Sequence, residues 1–483
     1  MLPAKGPESS VQTRITGEGP LARVILRLAG PVVLMMYLQG AYNIIDSIWV
    51  GQLLGKVALA GIATGGFVLW CIFGLTPLVT AGILAKLARR VGENDLAGAE
   101  QTAARGLWYA LALSLVIGVV LWLLVPSLYR LMGTDPEISA SGSQYLRVIL
   151  FGCPFIFVSF LLQRIFWAAG DTVTPMWLTF LALIFNTLLD PLLMLGLLGF
   201  PAMGVAGAAL ATVIARFIMV ALGIWLLYNK RRFSLRKFHA PFLKYVPHPI
   251  PGIEDGALRV RLGWMSAWDW RFFGSILRIG LPHAVSQVLF PLVYMVITRI
   301  PASFGARYVA ALRIGHTAEG VSFFLALGFS VAAATCIGQN LGAQKPERAA
   351  RAGWIASKTV AAILAVFSLA FYLFPSQISS VFTPDPGTIH ASASYLKILS
   401  ISQVFMGLEI VLAGAMGGAG DTVPPMVIFV PLNIARIPLA YFLADSAGLG
   451  ISGVWWAISA TSILKGILIA YWFSLGYWKK KKV

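Results

Sequence analysis

Long apolar stretches follow one another along almost the whole chain, and short segments rich in charge, proline and glycine separate them. One helical crossing of a bilayer needs about 20 apolar residues, and the stretches that approach or exceed this length predict twelve crossings. The pattern therefore predicts an all-α polytopic membrane protein with twelve transmembrane helices. The predicted spans are 27–51, 58–86, 104–125, 143–168, 175–198, 203–228, 276–300, 308–338, 352–374, 393–415, 424–443 and 451–478.

The composition agrees with this class. The chain has 483 residues, of which 58% are hydrophobic and 12% charged, and its mean hydropathy is +0.81. Its three cysteines lie in or beside apolar spans without metal-ligand spacing, which indicates packing rather than metal or redox chemistry. The segment 1–24 is polar and has no apolar core, so we expect the first span, not a cleavable signal peptide, to direct insertion.

The net charge of +18 is distributed unevenly between the two sides of the predicted spans. Basic residues gather after the even-numbered spans, whereas the segments 199–202 and 444–450 carry almost none. Positive residues accumulate on the cytoplasmic side of a membrane. We therefore expect both termini to be cytoplasmic, in the plasma (inner) membrane, and we expect no nucleic-acid partner.

One heptapeptide occurs twice, as GDTVTPM at 170–176 and as GDTVPPM at 420–426. Locally it predicts a corner between two helices, because glycine ends a helix, Asp and Thr cap the next one, and proline suits its first turn. Its recurrence between paired apolar stretches indicates that the chain consists of two related halves.

Further matches keep the same order along the two halves. Residues 25–31 (ILRLAGP) match 276–282 (ILRIGLP), and Gly204, Val205, Ala208, Ala211 and Thr212 match Gly453, Val454, Ala457, Ala460 and Thr461. Each half holds six helices, an even number, so both insert in the same orientation and form a parallel repeat. The predicted organisation is an N-terminal segment 1–24, an N-terminal six-helix lobe 25–228, a linker 229–275, a C-terminal six-helix lobe 276–478 and a basic tail 479–483. Within the linker, Trp264, Trp268, Trp270 and Arg271 suggest an amphipathic piece at the membrane surface.

An acidic side chain inside a membrane span costs free energy, so its presence there indicates a functional or structural role. In the first half these residues are Asp46 and Asp190. At about 1.5 Å per residue they lie at similar distances from the cytoplasmic ends of their helices, so they could meet Thr212 in the outer half of the lobe. Gln39, Tyr42 and Asp46 share one helix face, as do Asn186 and Asp190. Spacing alone leaves two simpler interpretations open: Asp46 hydrated at the outer interface, and Asn186 joining two helices without binding a ligand.

The two GDT corners, the run ARRVGENDLAGAE at 88–100, its partner GQNLGAQKPERA at 338–349 and the paired helix counts resemble the multidrug and toxic compound extrusion (MATE) family over about 25–478. The resemblance implies two six-helix lobes and export of organic, often cationic, solutes by antiport with Na⁺ or H⁺. It implies a coupling-cation site at Asp46, Asn186, Asp190, Ala208 and Thr212, with Na⁺ possible at Asp46, Asn186, Asp190 and Thr212. It places Gln39, Tyr42 and Gln163 along the nearby cavity. Many members carry an arginine four residues before each GDT aspartate, where this chain has Trp167 and Gly417.

The second half lacks this acidic arrangement, since Asp46, Asn186 and Asp190 are matched there by Thr298, Arg436 and Ala440. Its intramembrane acids are Glu319 and Glu409, which we assign to the cavity. Glu319 matches a common glutamate of the resembled family, and a structural pair with an arginine is an equal alternative. Glu409 and Arg436 should lie at similar heights, which predicts that they pair or share a polar network.

The favoured function is secondary active export of a small molecule by alternating access, with H⁺ or Na⁺ as the coupling ion and no cofactor. We expect the protein to contact membrane lipid and to work as a monomer. A flippase for lipid-linked sugars is the alternative within transport, although more spans and a basic cavity are typical of that class. A channel and a membrane-embedded enzyme are further alternatives. The five histidines form no cluster in the sequence and there is no Gly-Lys phosphate loop, which disfavours the enzyme. The sequence leaves the substrate and the choice between Na⁺ and H⁺ open.

Overall fold

The computed structural model describes residues 15–17, 19–229 and 268–483. Within these residues the protein is helical, without a β-strand. Eleven helices are long and apolar enough to cross a membrane, and one bent pair of shorter helices brings the number to 12. The predicted fold class, an all-α membrane protein with twelve spans in two six-helix lobes, is confirmed.

The twelve spans are numbered here in chain order. They are α1 (Leu21–Leu53), α2 (Gly55–Gly92), α3 (Leu96–Met132), α4 (Pro136–Phe151 with Cys153–Ala168), α5 (Val173–Leu195), α6 (Gly204–Asn229), α7 (Trp270–Phe304), α8 (Ala306–Gly342), α9 (Pro346–Leu373), α10 (Pro386–Gly418), α11 (Val423–Tyr441) and α12 (Ile451–Leu475).

Six helices begin six to eight residues before the apolar stretch that predicted them, among them α3 and α10. The helix α3 starts at Leu96 and α10 at Pro386, whereas the predicted spans start at 104 and 393. An aspartate caps each start: Asp95 accepts the backbone N–H of Gly98 at 2.9 Å, and Asp385 accepts that of Thr388 at 2.8 Å. Such caps satisfy orphan donors and extend a helix into its polar flank.

The span α4 is bent by 55° at Gly152, a feature that the apolar pattern did not predict. Pro154 follows in the first turn of the second helix and has no N–H to continue the hydrogen-bond ladder. A Cβ at Gly152 would overlap the side chain of Val213 on α6. The bend therefore depends on close packing against α6, which a hydropathy pattern does not record.

The GDT corners have the predicted glycine conformation, with φ of +87° at Gly170 and +81° at Gly420. In the first copy Asp171 caps α5, since its Oδ1 accepts the backbone N–H of Thr174 at 3.0 Å. The second copy has proline at 424, which has no N–H to donate. There Asp421 instead forms a salt bridge of 3.1 Å with Lys481.

Gly170→Ala is expected to destabilise the protein by about 1–2 kcal/mol, because a Cβ crowds the following carbonyl at positive φ. Thermal unfolding in detergent measures the loss. Gly66→Ala is the matched control, since Gly66 is helical and a methyl group there meets nothing within 4 Å. Equal unfolding temperatures for the two variants would contradict the argument.

The chain divides into two compact units. One comprises residues up to Gly19 and Leu34–Leu277, and the other comprises Pro20–Val33 and Arg278–Val483. The core of the first unit includes Val50, Ala58, Tyr145, Ile149, Ile156, Met194, Ala208 and Val213. The core of the second includes Val293, Ile297, Leu312, Tyr395, Leu399, Ala440, Trp455 and Ile458. The predicted lobe boundaries, 25–228 and 276–478, stay a prediction.

Part of the predicted linker 229–275 belongs to a helix, because α7 begins at Trp270. The ring of Trp268, just before it, lies edge-on to Tyr109 with 4.7 Å between centroids. This packing stabilises the start of α7 ahead of the predicted span. Residues 230–267, including Trp264, lie outside the described residues, as do 1–14 and Glu18 of the predicted N-terminal segment.

Asp269 connects the start of α7 to α3. Its carboxylate accepts the backbone N–H of Phe272 at 3.0 Å and forms a salt bridge of 3.1 Å with Arg105. The hydrogen bond from Phe272 and the nearby positive charge of Arg105 lower the pKa of Asp269, which stays ionised.

Candidate functional site

The candidate site lies in the first unit, where α5 and α6 pack side by side. Asn186 and Asp190 are four residues apart on α5, and both side chains are fully buried. The Nδ2 amide of Asn186 donates to Asp190 Oδ1 at 3.1 Å and to Thr212 Oγ1 on α6 at 3.5 Å. The structure thus brings together three of the predicted residues. Ala208 is also fully buried, one turn before Thr212.

The helix α1 adds Tyr42 and Asp46 to this set. Both are only 8% exposed, so Asp46 is not a hydrated interfacial carboxylate. Asp46 and Asp190 interact electrostatically, and both act on Tyr42. Two carboxylates are thereby held near each other away from water, which is costly unless a proton or a cation neutralises them.

Three oxygen atoms of this group have no hydrogen-bond donor within the described part of the chain. They are Asp46 Oδ1, Asn186 Oδ1 and Asp190 Oδ2, and all three are buried. Buried polar atoms normally have a partner. Oxygen is the ligand atom that Na⁺ sites in transporters use, and a carboxylate oxygen is also the atom that a proton would occupy. The residues therefore fit a cation.

Arg216 is a neighbour of this group that the sequence did not single out. It lies four residues after Thr212 on α6, and its guanidinium carbon is 5.8 Å from the ring centroid of Tyr42 and 5.7 Å from that of Phe160. The i, i+4 spacing from Thr212 is a signal that could have found it. Arg216 therefore joins the group through Tyr42, with which it interacts electrostatically.

The two predicted cavity glutamines occupy separate helices. Gln163 is buried on α4, whereas Gln39 is partly buried on α1. The Nε2 atom of each has no acceptor among the described residues. Both amides therefore have a donor available for another group.

In the second unit, Glu409 and Arg436 form no direct salt bridge, but both interact with Lys465, so of the two predicted alternatives the shared polar network holds and the direct pair is wrong. Glu409 Oε1 lies 2.6 Å from Nζ of Lys465 on α12. Arg436 instead donates to Thr461 Oγ1 at 2.8 Å, and Lys465 is one turn further along the same face of α12. The prediction compared heights along two helices and did not consider a cation on the third.

Glu319, the other predicted cavity acid of the second unit, is partly buried on α8. Its Oε1 accepts the Nε2 amide of Gln403 at 3.3 Å, and Gln403 Oε1 in turn accepts the hydroxyl of Ser322 at 2.7 Å. Glu319 also interacts electrostatically with Arg436 and Lys465. Both acids of this unit therefore belong to a network that carries its own positive charges.

Metal sites built from three or more His, Cys, Asp or Glu side chains are absent from the described residues. The acidic group of the first unit contains two such side chains, Asp46 and Asp190, with amide and hydroxyl oxygens beside them. This composition suits a weakly bound monovalent cation or a proton better than a transition metal.

The architecture defines a class: a polytopic helical membrane protein with two related six-helix halves and a buried pair of aspartates in the first of them. The sequence profile of the MatE family matches residues 31–192 and again 282–442. The chain therefore belongs to the MatE family, the multidrug and toxic compound extrusion family that its motifs resemble, and is a MATE family transporter.

Relatives align with the chain over most of its length. A probable multidrug resistance protein NorM from Thermotoga maritima is 29% identical over 472 residues, which cover 96% of this chain and 94% of the relative. An FAD transporter from Shewanella oneidensis is 25% identical over 455 residues, which cover 94% of each. A MOP superfamily transporter from Pyrococcus furiosus has a similar structure, with a TM-score of 0.85 over 98% of this chain and 100% of that one at 23% identity.

Proposed function

We propose that the protein is a secondary active exporter of organic compounds, cationic or amphipathic, driven by antiport with H⁺ or Na⁺. The observation that supports this most directly is the group of buried oxygens on Asp46, Asn186 and Asp190 that find no hydrogen-bond donor among the described residues. Membership of a transporter family and the multidrug resistance names of relatives support the export of small molecules. In this proposal the chain is a carrier, not an enzyme, and it has no resident cofactor.

The proposed mechanism begins with the charge of the site. With neither proton nor cation bound, Asp46 and Asp190 repel each other in a region that solvates charge poorly, so this state is unstable. A cation or a proton between them removes the repulsion and draws α1 towards α5. Binding therefore favours one arrangement of the lobe, and release favours another.

Antiport requires that substrate and cation favour different states. The helix α1 can transmit this choice, because it carries Tyr42 and Asp46 and contains Pro31. A proline inside a helix removes one backbone hydrogen bond and eases bending. We infer that substrate binds at Gln39, Tyr42 and Gln163 and competes there with the cation-bound arrangement of α1.

Efflux from proteoliposomes tests the proposal. The purified protein is reconstituted with a fluorescent cationic dye inside, and pH and Na⁺ gradients are imposed separately. We expect one of the two gradients to drive dye export and the other to have little effect. Equal dye loss with both gradients collapsed would contradict antiport and indicate a passive pathway.

Cysteine labelling tests the proposed orientation, in which both termini are cytoplasmic. In a background without the native cysteines, Gln344→Cys and Lys237→Cys should resist a membrane-impermeant maleimide added to intact cells. Phe200→Cys, in the segment of low charge between α5 and α6, is the matched control and should be labelled. Labelling of position 237 from outside would reverse the topology.

The remaining proposals concern partners and location. We infer a monomer in the plasma (inner) membrane, in contact with lipid around the apolar outer faces of its spans. These faces expose large apolar side chains such as Val116, Leu123 and Leu188, which need a hydrocarbon environment.

A further inference from the structure

The second unit contains a structural copy of the candidate cation site. The GDT corners pair Asn186 with Arg436, and the following repeat pairs Thr212 with Thr461. In both units the paired residues are in contact: the Asn186 amide donates to Thr212 at 3.5 Å, and the Arg436 Nε donates to Thr461 at 2.8 Å. The two sites are therefore equivalent in position and differ in chemistry.

The aromatic residues of the site are repeated as well. The first helix of each half places a tyrosine beside the site, since Tyr42 interacts with Thr212 and the two aspartates, and Tyr294 contacts Arg436. The Nη1 of Arg436 donates to the hydroxyl of Tyr294 at 3.0 Å, and its guanidinium carbon lies 5.5 Å from the ring centroid. The Nη2 donates to Ser462 at 3.2 Å. Three oxygens thus hold a guanidinium that is only 1% exposed.

The charges of the two copies are reversed. The first copy has two acids, Asp46 and Asp190, and their counterparts Thr298 and Ala440 are neutral. The second copy instead carries a positive charge at position 436, where the first has the neutral Asn186. At these positions the side chains of the first copy are therefore acidic, and those of the second copy carry a positive charge.

Each copy also has a basic residue four positions after its threonine. Arg216 lies four residues after Thr212, and Lys465 lies four residues after Thr461. Lys465 is neutralised by Glu409 at 2.6 Å. Glu319 and His316 are the further titratable groups that act on Arg436, together with Tyr294 and Tyr395. Of the two acids of this unit, Glu319 is the one that interacts electrostatically with Arg436 without forming a salt bridge to Lys465.

We propose that the guanidinium of Arg436 is a tethered cation, which occupies in the second unit the position that an exchangeable cation takes in the first. The second unit then remains permanently in the cation-loaded arrangement and contributes no coupling ion. The inference rests on the proposed function in one respect, namely that the site of the first unit binds an exchangeable cation. The ligand class is specific: a planar monovalent cation held by hydroxyl oxygens and an aromatic face.

Chemical rescue tests the tethered cation without any transport assay. Arg436→Ala leaves a cavity lined by Tyr294, Thr461 and Ser462, and its melting temperature in detergent should fall by on the order of 5 °C. Guanidinium chloride at low millimolar concentration should restore most of this loss. Urea, a neutral molecule of the same shape, should not. Arg313→Ala, which removes an exposed arginine of the same unit, should show no response to guanidinium.

Equal rescue by urea and guanidinium would overturn the inference, because hydrogen bonding alone would then explain the site. Absence of rescue by guanidinium in a folded, monodisperse Arg436→Ala would overturn it as well. The rescue experiment does not involve export, so its result is independent of the proposed function.

A transplant decides the question if Arg436→Ala does not fold. The triple variant Thr298→Asp/Arg436→Asn/Ala440→Asp installs the acidic set of the first unit in the second. In an Asp46→Asn background it should gain a melting temperature that rises with Na⁺ or with proton concentration. The test is valid if Asp46→Asn alone abolishes the cation dependence of the melting temperature. If the triple variant then restores no such dependence, the tethered cation is contradicted, whereas the assignment of the first site still stands.

Discussion

Asp46→Asn is expected to insert and fold normally and to lose gradient-driven export. The amide keeps the volume of the carboxylate but has no charge, so neither a proton nor a cation can change the state of α1 through it. Coupling free energies between sites are typically 1–3 kcal/mol, or about 5- to 150-fold, and we expect the substrate gradient that the variant can sustain to fall by a factor in this range. Dye efflux from proteoliposomes under the driving gradient measures it.

Asp190→Asn should behave like Asp46→Asn, because both carboxylates belong to the same buried group. Asp171→Asn is the matched control. Asp171 accepts hydrogen bonds from the backbone and the hydroxyl of Thr174, so its loss should cost about 1 kcal/mol of stability without uncoupling export. Export at the parent rate by Asp46→Asn would show that this carboxylate is not the coupling group.

Glu409→Gln should destabilise the protein by about 3–5 kcal/mol, because it leaves the ammonium of Lys465 buried without its counter-ion. The side chains of Lys465 and Glu409 are only 4% and 12% exposed, and the two atoms that join them are 2.6 Å apart. Thermal unfolding in detergent measures the loss. The double variant Glu409→Gln/Lys465→Met removes both charges and should recover most of it.

An exposed pair offers a comparison for this second prediction. Glu347 is 79% exposed and lies 2.9 Å from Lys479, so Glu347→Gln should change the stability by less than about 1 kcal/mol. If Glu409→Gln is as mild as Glu347→Gln, water must reach Lys465, and the buried network would not carry the charge balance assigned to it.

The apolar pattern predicted every span because hydrocarbon thickness fixes the minimum length of a crossing helix. It did not predict where the helices begin, since the caps at Asp95 and Asp385 lie in polar segments that hydropathy treats as loops. The apolar pattern also did not predict the bend of α4. It depends on the space that Val213 takes beside Gly152, which is a property of two helices together.

For the site, reasoning from the sequence was sufficient, because spacing by four put Asn186 and Asp190 on one helix face and height along the helices placed Asp190 near the level of Thr212. It was not sufficient for the second unit, where height along a helix predicted the wrong partner for Glu409. Lys465 was missed although its position repeats that of Arg216. Electrostatic partners depend on rotation about the helix axis as well as on height, and one sequence fixes only the latter.

A cation that cannot leave, such as the guanidinium of Arg436, limits the work that one transport cycle can do. If one exchangeable cation is traded for one singly charged organic cation, no net charge crosses the membrane, and the membrane voltage contributes nothing. If the substrate is neutral, the same cycle moves one charge, and 100 mV supplies about 2.3 kcal/mol. At about 1.4 kcal/mol for each factor of ten, this sustains a concentration ratio of about fifty. The charge of the substrate would then decide whether export responds to voltage or only to the chemical gradient.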